Sequence, residues 1–350
     1  MSSIRHESVA LLVWRSWRRE RNILIAALLL FGVFSMTADN FLTTDNLLLI
    51  GTLMALWTIA GVGETFIIVS GEIDFSIGSL FGFLVMVMGV LVGNSEFPVS
   101  EQGVYFAGLE WNVWLAAAVV IGIGLVVGLL NGFLVTKMRL PSFVVTLAGW
   151  VGWQSGMRVI TGLQPVFFES LSPVFTGITQ GKLFGKIPML SVWMVLAVIA
   201  GHLLLTRTKF GYHVQATGDN PEAAKKTGIK TDRVKIACFV LMGGLVALVT
   251  VLWVGYLTAA PMLTGIAFEL QVIVAVIIGG TVLGGGRGSI VGTLLGAAVF
   301  GMIFNGVVLL RWQSAWQWIA NGVIILAVVT IDSIGGRQPK FVAFLRRRKQ

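Results

Sequence analysis

The stretch Asn112-Val-Trp-Leu-Ala-Ala-Ala-Val-Val-Ile-Gly-Ile-Gly-Leu-Val-Val-Gly-Leu-Leu-Asn-Gly-Phe-Leu-Val-Thr136 contains no charged side chain. A helix rises about 1.5 Å per residue and needs roughly 20 apolar residues to cross a hydrocarbon core about 30 Å thick, so this run is long enough to span a bilayer. Comparable runs recur along the chain, at 22–37, 46–70, 76–93, 142–160, 188–206, 235–257, 268–284, 289–310 and 314–332. Lipid offers the backbone no hydrogen-bond partners, so only helices and closed barrels can cross it, and these runs are too long and continuous for barrel strands. The reading is an all-α polytopic membrane bundle of about ten transmembrane helices. Gly61, Gly63, Gly71 and Gly78 interrupt the second and third spans, whose boundaries are the least defined.

Composition supports this. Of 350 residues, 56% are hydrophobic and 12% charged, against about a quarter charged in soluble domains. No polar stretch between residues 22 and 332 is long enough to fold separately, so that whole region reads as one membrane domain. It is flanked by a basic segment, 1–21, and a basic tail, 333–350. The net charge of +9 does not indicate nucleic acid, because the basic residues sit in short clusters beside apolar runs; membrane lipid accounts for them better. The single cysteine, Cys238, excludes a disulfide framework. Arg5, Arg15, Arg18, Arg19 and Arg21 precede an apolar run with no small-residue cleavage pattern, so an uncleaved first span is expected.

Lys and Arg are retained in short cytoplasmic segments, and their distribution sets orientation. With the N-terminus inside, 21 of the 25 basic residues fall on the cytoplasmic side: the five arginines above, Lys137 and Arg139, seven from Arg207 to Lys235, Arg287, and six after Asp332. Arg158, Lys182, Lys186 and Arg311 are left over. The opposite side carries Asp39, Asp45, Glu96, Glu101, Glu110 and Glu169. An even number of spans with both termini cytoplasmic follows.

Small residues four apart let membrane helices approach closely. Gly124, Gly128 and Gly132 keep that spacing, and Gly280, Gly284, Gly288, Gly292 and Gly296 extend it to five positions, a packing ridge unless a turn near 284–289 breaks it.

The basic loop 207–234 contains a fully signposted short helix. Asn220 suits the N-cap, Pro221 the first helical position, and Glu222 the positive dipole end. Ala223 and Ala224 propagate it, Lys225 and Lys226 favour its end, and Gly228 supplies a left-handed stop. These features fit a docking helix or an ordinary surface helix equally well.

Ionisable residues inside spans are expensive and usually face a cavity or a partner. Glu64 is the deepest; it reads either as a group that meets polar cargo or as a clamp to a neighbouring helix. Asp74, beside Ser76 at the head of the third span, reads as a cap, and Arg158 and Glu269 as interfacial. Trp57, Trp150, Trp153 and Trp193 could stack on the apolar face of a cargo ring or serve as anchors, whereas Trp111, Trp114, Trp312, Trp316 and Trp318 read as interfacial anchors. No phosphate-cradling G-x-x-x-x-G-K-[ST] motif, metal-ligand spacing or nucleophile–base pair is present, so the chain is not read as an enzyme.

Three motifs carry a resemblance. Gly211-Tyr-His-Val-Gln-Ala-Thr-Gly-Asp-Asn-Pro-Glu-Ala-Ala-Lys-Lys-Thr-Gly-Ile229 resembles the cytoplasmic loop of the ribose/xylose/arabinose-type ABC sugar permeases, Gly-x-x-x-x-Ala-x-Gly-x-Asn-x-x-Ala-Ala-x-x-x-Gly-Ile. Gly71-Glu-Ile-Asp-Phe-Ser-Ile-Gly-Ser79 is similar to that family's Gly-Gly-Ile-Asp-Leu-Ser-Val-Gly-Ser, with Glu72 in place of the second glycine. The third is Gly279-Gly-Thr-Val-Leu-Gly-Gly-Gly-Arg-Gly-Ser-Ile-Val-Gly292. The resemblance covers residues 45 to 332. It implies a permease subunit in a bacterial inner membrane, paired with a second permease chain that is identical or different. It also implies two cytoplasmic ABC ATPase subunits, which bind ATP and Mg, and a periplasmic sugar-binding protein. Gly218, Asp219, Asn220, Pro221, Glu222, Ala223, Ala224 and Gly228 would then form the ATPase-coupling helix and its flanks, with no cofactor in this chain. An ion-coupled secondary transporter is the alternative, with Glu64 as its candidate coupling residue.

Overall fold

A computed structural model describes residues 9–93, 108–161, 164–168 and 171–313, with scattered positions between 315 and 330. In chain order the helices are α1 (Val9–Thr37), α2 (Thr44–Val69), α3 (Ile77–Val92), α4 (Val113–Thr136), α5 (Ser142–Thr161), α6 (Pro173–Thr179), α7 (Met189–Arg207), α8 (Lys209–Asp219), α9 (Pro221–Lys226), α10 (Thr231–Leu257), α11 (Phe268–Ile278) and α12 (Ile290–Leu309). Among the described residues, α2, α4, α7, α10 and α12 are long and apolar enough to cross a membrane, while α3, α11 and the apolar part of α1 are shorter.

The centre of the bundle is α2, every residue of which from Ala55 to Val69 is buried. It packs on α7, α10, α11 and α12. Two of the glycines expected to interrupt it are instead contact points: a β-carbon at Gly61 would meet Thr293, and one at Gly63 would meet Met242. The helix ends where Gly71, at φ +87°, turns the chain. Glu72 needs no left-handed backbone, and its carboxylate pairs with Lys235 of α10, tying this turn to the bundle.

Glycine spacing in α4 has the expected physical basis. Gly124, Gly128 and Gly132 face the backbone of α10 at Gly243, Phe239 and Ile236, where any side chain would push the two helices apart. The five-glycine ridge does not form. α11 stops at Ile278, and Gly280, Gly285 and Gly286 take left-handed backbone in a turn that reaches Ser289, whose hydroxyl accepts from the Gly292 N–H at 3.1 Å to open α12. Only Gly292 and Gly296 pack helix on helix, against Gly279 and Ala275 at the end of α11. Gly284 meets nothing closer than Val282 at 4.0 Å, and Gly288 sits against Val69 and Thr281.

Other expectations also change. The span expected over 268–284 shrinks to the eleven residues of α11, about 16 Å of helix and only half a membrane. α1 runs unbroken from Val9, well inside the segment read as a basic extension. α8 occupies sequence read as loop, with the Thr208 hydroxyl accepting from the Gly211 N–H at 3.2 Å. The bundle is not purely helical: β1 (Val166–Phe167) pairs antiparallel with β4 (Ala259–Ala260), and β2 (Lys182–Leu183) with β3 (Ile187–Pro188). The tenth expected span, 314–332, lies largely outside the described residues.

Between α10 and α11 the chain is irregular, with Ala259 and Ala260 buried and Met262, Leu263 and Ile266 exposed. Thr258 at φ +51° ends α10, and the segment then runs beside α3: Ala260 against Gly89, Thr264 against Gly82, Gly265 against Gly78. Three glycines on one face of α3 leave a groove along which this non-helical backbone packs.

Candidate functional site

The basic loop forms a capped element on one face of the bundle. Asn220, at φ −154° and ψ 97°, breaks the helical path between α8 and α9, and its Oδ1 accepts from the Ala223 N–H at 3.0 Å. Pro221 and Glu222 occupy the first turn, Lys225 and Lys226 the last, and Gly228 takes φ +89° while the Ile229 N–H donates to the Ala224 carbonyl at 3.1 Å. Of α9 only Ala224 is buried; the other five residues are exposed. Lys137 and Lys225 reach Asp232 at 3.2 and 4.0 Å. At this exposure such pairs contribute at most about 1 kcal/mol.

Where α8 passes to α9, three backbone segments meet. Gly218 lies on the Val69 carbonyl, which accepts from the Gly286 N–H at 2.8 Å, and a β-carbon at Gly218 would collide with both segments. Gly285 stands over Gly71 and Gly218, and Gly286 over Asp219. The end of α8, which leads directly into the exposed helix, is therefore in backbone contact with the end of α2 and with the α11–α12 turn. The three glycine-bearing sequence motifs converge at this point.

A layer of buried polar groups surrounds the first turn of α3. Asp74 is not the cap of α3, whose N-cap position is Ser76. Instead Asp74 Oδ1 accepts from both the N–H and the hydroxyl of Ser76, at 2.8 and 2.6 Å. Burial pushes the Asp74 carboxyl above its usual range, and the two Ser76 hydrogen bonds work against that shift. Glu64 Oε1 accepts from the Asp74 N–H at 3.3 Å, Asn131 of α4 donates to the Ser76 hydroxyl at 3.3 Å, and Ser142 at the start of α5 accepts from the Ile73 N–H at 3.5 Å. Glu64 Oε2 is buried without a partner.

Glu269, expected at the membrane interface, is 6% exposed and lies in the first turn of α11. Its Oε1 accepts from the Trp150 indole N–H at 3.1 Å, and its Oε2 rests over Gly78 with no hydrogen-bond partner. Trp153, one turn along α5, packs against Phe83 with ring centroids 5.1 Å apart. Trp57 stands elsewhere: its N–H donates to Gln271 at 2.9 Å and its ring meets Phe300 of α12. Of the residues read as cargo contacts, Trp150 and Trp153 flank the head of α3, Glu64 reaches it through Asp74, and Trp57 does not join them. Sequence reading placed Glu269 at the membrane interface and did not single out Asn131. The sole local signal was a polar residue inside an apolar run, because the partners are far away in sequence. Arg158 is exposed in the last turn of α5. Among the described residues no group of His, Cys, Asp and Glu is placed to hold a metal ion.

Residues 46–329 match the family described as the permease component of branched-chain amino acid transport systems. The chain is 33% identical over 329 residues to the ribose import permease protein of Escherichia coli strain K12, covering 91% of this chain and 95% of that one. It is 30% identical over 320 residues to the ribose import permease protein of Haemophilus influenzae, covering 91% and 94%. It is also 30% identical over 316 residues to the autoinducer 2 import system permease protein of Yersinia enterocolitica, covering 90% and 82%. No solved structure matches the chain.

Proposed function

The chain belongs to this family of transport permeases, and from that premise we propose that it is the membrane subunit of an ATP-binding cassette importer in a bacterial inner membrane, carrying a monosaccharide or a related polyol. Near full-length similarity to ribose and autoinducer 2 import permeases supports the sugar class over the amino acids in the family's description. Energy comes from two separate ATPase subunits that bind ATP and Mg, a second permease chain completes the passage, and a periplasmic binding protein delivers the cargo.

One observation carries the coupling part of this reading. The exposed, capped α9 is continuous with Gly218, whose backbone touches the end of α2 and the α11–α12 turn. A protein seated on α9 can thereby move the segments that hold the buried polar layer. Asn220, Pro221, Glu222 and Ala223 form the contact surface, Ala224 anchors the helix from below, and Gly228 closes it.

Buried Glu64, Asp74 and Glu269 favour a second reading, ion-coupled transport, since carboxylates at membrane depth serve that role elsewhere. Uptake of labelled sugar by sealed vesicles separates the two. Dependence on ATP together with the ATPase subunits is expected; uptake by this chain alone, driven by a proton gradient, would reject the importer assignment.

A further inference from the structure

The turn between α2 and α3 is held from both ends of α9. On the N-terminal side, Gly218 at the end of α8 lies against the Val69 carbonyl, and Gly285 stands over Gly71 and Gly218. On the C-terminal side, α9 passes through Gly228 into α10, and Lys235, in the second turn of that helix, pairs with the Glu72 carboxylate.

The two holds differ in kind. The glycine contacts are steric: backbone atoms leave no room for a β-carbon at Gly218 or Gly285, and atoms in van der Waals contact resist compression far more than separation. The ion pair resists separation as well. Among the described residues, Lys235 Nζ to Glu72 Oε1 is the one hydrogen bond that joins residues 208–235 to residues 69–76. It is also more enclosed than the neighbouring pairs. Lys137 and Lys225 meet Asp232 with 49% and 61% of their side chains exposed, against 19% for Lys235 and 13% for Glu72. A part-buried pair is screened less by salt, and loss of one partner leaves the other charge uncompensated.

Beyond Glu72 the chain enters the buried polar layer at once. The Ile73 N–H donates to Ser142 of α5, the Asp74 N–H to Glu64, and Asp74 accepts the two Ser76 hydrogen bonds at the start of α3. A displacement of Glu72 therefore reaches the head of α3 through a segment fixed by hydrogen bonds at each step.

We propose that Glu72 is a positioning residue for coupling: its ion pair with Lys235 gives α9 a second, tension-bearing hold on the α2–α3 turn, so that α9 draws the head of α3 back as well as pressing on it. The inference rests on the reading of the chain as an ATP-driven importer with α9 as the ATPase contact. It adds to that reading a link made by two residues outside the contact surface.

The test uses the complete transporter, with its ATPase and binding protein, in proteoliposomes supplied with labelled D-ribose, D-xylose, L-arabinose and D-galactose. Sugar moved per ATP hydrolysed is compared for the natural chain, Glu72→Gln, Lys235→Gln and the exchanged pair, Glu72→Lys with Lys235→Glu. Capture of the ATPase and yield of assembled complex are measured alongside. Each single substitution is expected to lower the ratio roughly threefold to tenfold with capture and yield unchanged, and the exchanged pair to bring it back to within about twofold of the natural chain. An unchanged ratio in both single variants overturns the proposal, as does an exchanged pair no better than the singles. A loss of capture or yield at constant ratio marks a structural role and overturns it too. The natural chain alone judges the underlying reading: if it moves none of these sugars with ATP and the ATPase, the importer assignment fails, and with it the motion that the pair would carry.

Discussion

Asn220 makes one hydrogen bond on which the shape of the exposed loop depends. Its Oδ1 satisfies the Ala223 N–H, and a residue that cannot accept there destabilises the helix start by about 1 kcal/mol. Glu222 complements the positive end of the helix dipole, worth roughly another 0.3–1 kcal/mol. Replacing both, Asn220→Ala with Glu222→Lys, is expected to weaken capture of the ATPase about tenfold while leaving membrane insertion unaltered. Pull-down from detergent extract measures this, and undiminished capture would mean that the ATPase does not use α9. The same residues show why this part of the site was legible in the sequence. Cap, proline, acidic first turn, basic last turn and terminal glycine all act within nine residues, so their effect does not depend on the rest of the fold. Glu269 is the opposite case. Its burial is decided by Trp150, 119 positions earlier, and by Gly78 on a third helix, and no local pattern encodes that meeting.

At the scale of elements, the apolar runs foretold most helices to within a few residues because hydrocarbon imposes a length. They failed at α11. The sequence Gly279-Gly-Thr-Val-Leu-Gly-Gly-Gly-Arg-Gly-Ser289 contains little that opposes a helix except glycine. Glycine is compatible both with close helix packing and with a left-handed turn, and here Gly280, Gly285 and Gly286 take the turn. This splits the expected ridge into positions with different roles, which substitution can tell apart. Gly292→Leu would drive a side chain into the Gly279 backbone at the α11–α12 contact, whereas Gly284→Ala meets open space. The first is expected to lower the yield of assembled complex several-fold, by size-exclusion chromatography of the purified transporter, and the second to leave it near that of the natural chain. Equal yields would show that the contact between α11 and α12 does not limit assembly. α8 escaped notice for a different reason. Its sequence, Lys-Phe-Gly-Tyr-His-Val-Gln-Ala-Thr-Gly-Asp, carries two glycines and little apolar content, so its helicity rests on the Thr208 cap and on the packing of Gly211, Val214 and Gly218 beneath it.

For the molecule as a whole, the decisive quantity is which face meets the cytosol, because the coupling assignment requires α9 to lie on the side where ATP is hydrolysed. The charge distribution argues for that side: the seven basic residues from Arg207 to Lys235 lie in and beside α8 and α9, Lys137 reaches Asp232 there, and Lys and Arg are retained in short cytoplasmic segments. The chain offers a direct way to decide. Its single cysteine, Cys238, is fully buried in α10, so a cysteine introduced elsewhere is the sole accessible thiol. Ala223 is exposed on α9, and Phe184, in the β2–β3 hairpin, is 88% exposed. A membrane-impermeant maleimide applied to intact cells is expected to label Phe184→Cys and to spare Ala223→Cys, with the pattern reversed in inside-out vesicles. The converse pattern would put the capped helix outside the cell, out of reach of any ATPase, and would overturn the coupling mechanism while leaving the packing of the bundle untouched. Labelling of both positions in intact cells would place the two loops on one side of the membrane, so that α7 (Met189–Arg207) does not cross it, and would overturn the topology on which the coupling assignment rests.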